Sequence, residues 1–189
     1  MAIRPRQLLA CAIAALIAGV LLGAASARAE TAANGGASFE ALPPPPSRAT
    51  IVNGRAVAPV SAPARVKRVI AAANRIVNKP YVWGGGHAGF GKSLARGYDC
   101  SGAVSHALHG GRFLRSPLAS GGLTQWGRSG PGQWITVYAH SSHAYVVVAG
   151  LRFDTSMRDA NAPGPATGPR WSKTLRGSAA FIARHPRGF

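Results

Sequence analysis

The chain has 189 residues with 22 basic and 5 acidic side chains, a formal net charge of +17. That length holds one domain plus short extras and leaves no room for a second sizeable core. A field so positive favours anionic partners, whether nucleic acid, anionic lipid or a carboxylate- and phosphate-rich cell wall. The arginines are scattered rather than gathered into one stripe, which argues against a nucleic-acid footprint.

Residues 1–29 are predicted to be an export signal. Arg4 and Arg6 supply the positive start, Leu8 to Ala25 is an apolar run, and Ala27-Arg28-Ala29 is a small-x-small cleavage site. The competing reading is a retained anchor, since roughly 18 apolar residues is the lower limit for a span. Leu8-Leu9-Ala10-Cys11 has the look of a lipoprotein acceptor but leaves almost no apolar core before the cysteine. Cleavage after Ala29 removes three arginines and Cys11, leaving 19 basic against 5 acidic side chains and one thiol, Cys100. An odd cysteine in an exported protein marks a reactive thiol, although a buried inert one is the common alternative. The predicted location is therefore secreted or periplasmic, associated with the cell wall.

Residues 30–63 are rich in Ala, Pro, Gly and Ser, with Pro43 to Pro46 consecutive, and are expected to form a disordered tether. From residue 64 to 189 the pattern is that of a folded domain. Val66, Val69, Ile70, Ala73, Ile76 and Val77 recur at helical spacing, opened by Pro63 and closed by Asn78-Lys79-Pro80. A Gly-rich loop, Gly84 to Gly91, follows Tyr81-Val82-Trp83. A second helix is predicted to open at Asp99-Cys100 and stop at Gly110-Gly111. Trp134 to Tyr138, Ala144 to Val148, Leu151 to Asp154 and Ala179 to Ala183 read as strands. Two helices and then a meander predict an α+β domain with its helices at one side of a small antiparallel sheet.

Asp99 is a strong N-cap residue, so Cys100 is expected in the first helical turn, where the positive end of the dipole stabilises a thiolate. A thiolate needs an acid/base partner, usually His, itself oriented by a third group. The candidates are His87, His106, His109, His140, His143 and His185. His106 and His109 ride on the nucleophile's own helix and are expected at the surface. His185 is near the C-terminus and His87 is in a mobile Gly-rich loop. His143 opens the most strand-like run and is the preferred base, with His140 as understudy. Turn register bears on which residues can stand beside His143, with Asp154 and Ser156 on its face of the sheet. If Ala149-Gly150 forms a two-residue turn, Val148 pairs with Leu151 and Tyr145 with Asp154, which brings Asp154 diagonally beside His143.

The blocks Pro80-Tyr81-Val82-Trp83-Gly84-Gly85, Gly97-Tyr98-Asp99-Cys100-Ser101-Gly102, Gly132 to Tyr138 and His143-Ala144-Tyr145-Val146-Val147-Val148 resemble the NlpC-type cell-wall cysteine peptidases over residues 64–156. The resemblance implies a minimal papain-like domain that hydrolyses peptidoglycan stem peptides, usually between D-glutamate and the diamino acid, through a thioester. It implies Cys100 as nucleophile and His143 as base, and makes Tyr81, Asp99 and Ser101 the residues that hold the free amine end of the stem peptide or line the site. Three features depart from the family pattern. The stretch Gly86 to Gly97 is long, Gln133 stands where an Asp is frequent, and the third catalytic position, usually His, Asn or Gln, is Asp154.

Gly86 to Ser93 fits the phosphate-loop pattern, but Gly97 interrupts any following helix and no acidic strand end is available for magnesium. No cofactor and no metal are expected, nor is binding to nucleic acid, or to a membrane once the leader is gone. A monomer is expected, with anionic wall polymers as further partners. Trp83, Trp126, Trp134 and Trp171 are candidates for a glycan groove or for the core. The alternatives to a peptidase are a catalytically idle wall-binding module and a cysteine amidase or acyltransferase on the same fold.

Overall fold

Helical periodicity before residue 78 and alternation after residue 134 give two helices laid against an antiparallel sheet. The computed structural model describes residues 48–91, 93–156 and 168–189. The predicted leader and most of the predicted tether lie outside them.

Helix α1 (Ala64–Asn74) starts after Pro63, whose φ of −55° already suits a helix, and buries Val66, Val69, Ile70 and Ala73. Helix α2 (Cys100–Gly110) is capped by Asp99, whose Oδ1 accepts from Gly102 N at 2.7 Å. The two helices lie side by side. Close approach is possible because Gly110 meets Ala72, where any side chain would overlap the Ala72 methyl. Among the described residues no helix is long and apolar enough to cross a membrane.

The sheet has the order β3 (Arg128–Ser129), β8 (Ile182–His185), β4 (Ile135–His140), β5 (His143–Val148), β6 (Leu151–Asp154) and β7 (Arg170–Ser172), with antiparallel pairing throughout. Ile135, Val137 and Ala139 pair across β4–β5 with Val148, Val146 and Ala144. All six are buried and join one core with Val66, Val69, Ile70, Val104 and Leu108 of the helices. The β5–β6 turn is the expected two-residue one. Ala149 and Gly150 have φ of 47° and 80°, and Val148 faces Leu151 with Val146 opposite Phe153. Positive φ at both central positions is the turn whose twist matches a hairpin.

Several boundaries differ from the sequence reading. The segment expected to be a tether is folded from residue 48. β1 (Thr50–Val52) and β2 (Arg55–Val57) form a hairpin around Asn53-Gly54, with φ of 50° and 74°. Ala49, Ala56 and Ala62 are buried, and Asn74 clamps the backbone of Ala56 through both ends of its amide at 2.9 and 2.8 Å. Asn-Gly between β-formers is a strong hairpin signal, and it outweighs the Ala- and Pro-rich composition around it. The last strand of the meander begins at Ile182 rather than Ala179. The short α3 (Ser120–Leu123), β3 and β7 have no periodic signature of their own and exist through tertiary pairing.

One contact ties the fold to the cleft. A Cβ at Gly102, in the first turn of α2, would overlap the carbonyl oxygen of Gly85. Gly102→Ala is expected to cost about 1–3 kcal/mol by overpacking, read as a lower urea midpoint. The control Gly121→Ala, at a position open to solvent, is expected to leave the midpoint unchanged within error.

Candidate active site

The capped N-terminus of α2 sets Cys100 in a buried position, 8% exposed, with its Sγ 3.7 Å from Ser120 Oγ at the start of α3. His143 opens β5 and bonds through Nε2 to Asp154 Oδ1 at 3.0 Å. That leaves Nδ1 for Cys100, whose thiol and the His143 imidazole favour each other's charged form. The Ala144 N–H acts on the same sulfur and favours its thiolate. Cys100, His143 and Asp154 therefore form one chain of contacts across α2, β5 and β6.

The Asp154 side chain is fully buried. Its Oδ1 also accepts from Ser156 N at 2.9 Å and Ser156 Oγ at 3.0 Å, while Oδ2 faces Arg176 at 3.4 Å and Arg152 at 3.7 Å. Burial alone would push this carboxyl up. The His143 bond and the Ser156 donors override that and hold it at about 2. Burial would likewise push the His143 imidazole down, but the hydrogen bonds to Asp154 and Cys100 and the charges behind them raise it to about 9. The Cys100 thiol is pushed up by burial and brought below its ordinary value by His143, Ser120 and the Ala144 N–H. Both shifts run toward an imidazolium beside a thiolate.

On the other side of the thiol a cleft of about 320 Å³ is lined by Tyr81, Trp83, His87, Asp99, Ser101 and Ser120 among others. Tyr81 reaches it because its strand-like segment runs beside Tyr98, with Val82 N donating to Tyr98 O and Tyr98 N to Pro80 O. Asp99 is heavily engaged. Oδ1 meets Gly102 N, Ser101 Oγ at 3.2 Å and His87 Nε2 at 3.0 Å, and Oδ2 accepts from Gly84 N at 3.1 Å. Tyr81, Asp99 and Ser101 are thus brought together beside Cys100, with Oδ2 of Asp99 keeping acceptor capacity for a ligand.

His87 and Ser120 are site neighbours that the sequence reading passed over. His87, expected in a mobile loop, is bonded to both Asp99 and Ser101. The available signal was the pairing of Tyr81 with Tyr98, which closes the Gly-rich loop onto Asp99. Ser120 had no signal beyond its distance in space. His106, expected at the surface, is mostly buried against α1, and burial with the nearby Arg75 pulls its imidazole to about 4. His140 packs on Phe181, accepts from Ser142 N and lies across the β4–β5 pair from His143, with no hydrogen bond to Cys100 or Asp154. No helix follows the phosphate-loop pattern before α2 among the described residues.

No family model matches the chain, and no curated protein matches it. Its neighbours among solved structures are NlpC/p60 domains. The P60 domain of an antigen from M. avium subspecies paratuberculosis is 24% identical over 64% of this chain and 93% of that one, with a TM-score of 0.46. A mutated form of the Resuscitation Promoting Factor Interacting protein RipA is 21% identical over 73% and 69%, at 0.46. RipD from Mycobacterium tuberculosis, described as a non-catalytic NlpC/p60 domain protein adapted to peptidoglycan binding, is 17% identical over 65% and 98%, at 0.44.

The site makes a prediction for thiol chemistry. The rate of Cys100 alkylation by iodoacetamide is expected to titrate with a midpoint below the ~8.5 of a free thiol. His143→Ala is expected to move that midpoint up by at least about one unit, since it removes the largest opposing cause to burial. A midpoint unchanged by His143→Ala would mean that the two side chains are not coupled.

Proposed function

We propose that this protein is a cell-wall cysteine peptidase that hydrolyses peptidoglycan stem peptides, at the D-glutamyl–diamino acid bond. The observation that carries the reading is the contact chain Cys100–His143–Asp154 at the mouth of a cleft, with the sulfur at a helix N-terminus. The substrate class is supported by the sequence blocks around Tyr81, Cys100 and His143, by the predicted export signal and by a basic surface suited to an anionic wall.

In this reading the Cys100 thiolate attacks the carbonyl carbon, and the tetrahedral oxyanion is stabilised by the Cys100 backbone N–H at the start of α2. His143 gives its proton to the leaving amine as the C–N bond breaks, leaving a thioester. The now neutral imidazole takes a proton from water, whose hydroxide adds to the thioester, and the C–S bond breaks to release the acid and restore the Cys100 thiolate beside the imidazolium. Asp154 stays anionic throughout, fixing the ring and stabilising the imidazolium. Tyr81, Asp99 and Ser101 line the side of the cleft that receives the free amine end, with His87 holding Asp99 in place.

The deciding experiment is mass analysis of purified wall fragments after incubation. Cleavage of stem peptides with one water added per cut is expected from the native protein and none from Cys100→Ala. Digestion by Cys100→Ala would sink the enzymatic reading, whereas binding without cleavage by the native protein would favour an idle wall-binding module. Transfer to an added amine or lipid acceptor instead of water would favour an acyltransferase. For the orienter, Asp154→Ala is expected to lower kcat at least ~100-fold, Asp154→Asn to retain part of it, and Ser156→Ala to cost less than Asp154→Ala. Turnover is also expected to fall on the alkaline side near pH 9, where His143 loses the proton it must donate. A flat profile through pH 10 would exclude His143 as the acid.

A further inference from the structure

We infer a second binding site, for an anionic sugar unit of a wall polysaccharide, at the far end of α2 from the thiol. The chain turns after α2, before β3 and after β8 meet there around a groove of about 250 Å³ lined by Arg65, Arg112, Phe113, Trp126 and Arg187. Cys100 begins α2 and Gly110 ends it, so at about 1.5 Å per residue the groove lies roughly 16 Å along the helix from the nucleophile.

The groove is built rather than accidental. Arg65 donates through Nε to Gly111 O and through Nη2 to Arg112 O, both at 2.8 Å, which neutralises the carbonyl end of α2. Its guanidinium stacks 3.8 Å from the Phe113 ring centroid. Arg184 holds the opposite wall from outside, donating to Trp126 O at 2.8 Å and Gln125 O at 2.7 Å. Arg112 and Arg187 are exposed, and neither guanidinium has a hydrogen-bond or ion-pair partner among the described residues.

Charge points to the ligand. The only acidic side chains among the described residues are Asp99 and Asp154, and both belong to the catalytic cleft. Among the described residues no side-chain carboxylate is therefore left to neutralise the groove. Guanidinium forks match carboxylate and phosphate oxygens, and an aromatic wall beside them accepts the flat apolar face of a sugar ring. The groove has room for one or two ring units, and the arginines are scattered along the sequence rather than clustered, so a charged glycan fits better than nucleic acid. Such a site would tether the enzyme to the wall while the cleft works on the peptide. It requires no catalytic step at Cys100.

The test uses Cys100→Ala protein, so that cleavage cannot intervene, and measures its affinity for polygalacturonate, phosphorylated dextran and neutral dextran. The expected result is binding to the two anionic polymers that weakens as salt rises, with none to neutral dextran. The preference between the two identifies carboxylate or phosphate as the recognised group. Adding Arg112→Asn and Arg187→Gln is expected to weaken that binding at least fivefold. Arg112 has a φ of 59°, a conformation Asn tolerates, so the backbone is not strained by the change. Arg187→Gln alone is the fallback if the pair fails to fold. The same pair on the active protein is expected to leave hydrolysis of a short soluble stem peptide unchanged, which separates failure of this site from failure of the peptidase reading. Undiminished polymer binding in the variants, equal binding to neutral dextran, or tighter binding of a single-stranded oligonucleotide would each overturn the assignment.

Discussion

The buried carboxylate of Asp154 is the constraint around which the site is organised. A fully buried anion is costly unless paired and hydrogen-bonded. Here it is met by His143, Ser156, Arg152 and Arg176 at once. Those contacts draw in β5, β6 and the segment after β7, so the orienter of the imidazole is also a fastening point of the sheet edge. The linkage follows from the directions of the shifts. Asp154 titrates at about 2 against an ordinary 3.8, so its contribution to stability is present above pH 3.8 and lost as pH falls through 2. His143 titrates at about 9 against 6.5, so its contribution is complete below pH 6.5 and lost as pH rises through 9. Between those limits the same contacts that stabilise the fold hold the imidazolium beside the thiol.

A second anion, Asp99, organises the other half of the cleft by different means. It caps α2, fixes the Gly-rich loop through Gly84 N and His87, and presents one oxygen toward the space beside Cys100. A helix cap and a loop clamp make compatible demands on one carboxylate because its two oxygens face different groups. The loop lies close because Gly102 has no side chain to hold it away.

With both described acidic side chains committed to the cleft, the rest of the described surface is left basic. The cleft and the groove beyond α2 thus divide the electrostatics of the domain. One uses buried anions to activate a thiol, and the other leaves guanidinium groups available for an external anion.

Local chemistry made much of this legible from sequence. Asp99 ahead of Cys100 predicted the start of α2, the spacing of Val66 to Ala73 predicted α1, and Ala149-Gly150 predicted the register that brings Asp154 beside His143. Each rests on short-range rules of capping, periodicity or turn geometry, which a single chain displays openly. The Asn53-Gly54 hairpin was equally legible and was obscured only by the composition around it. Tertiary structure alone decided the remainder. Ser120 touches the sulfur and His87 reaches Asp99 across long stretches of chain, and Arg65, Arg112, Trp126 and Arg187 meet from four separate segments. Nothing in their spacing marks them, because no local rule relates residues whose only connection is the packing of α1 and α2 onto the sheet.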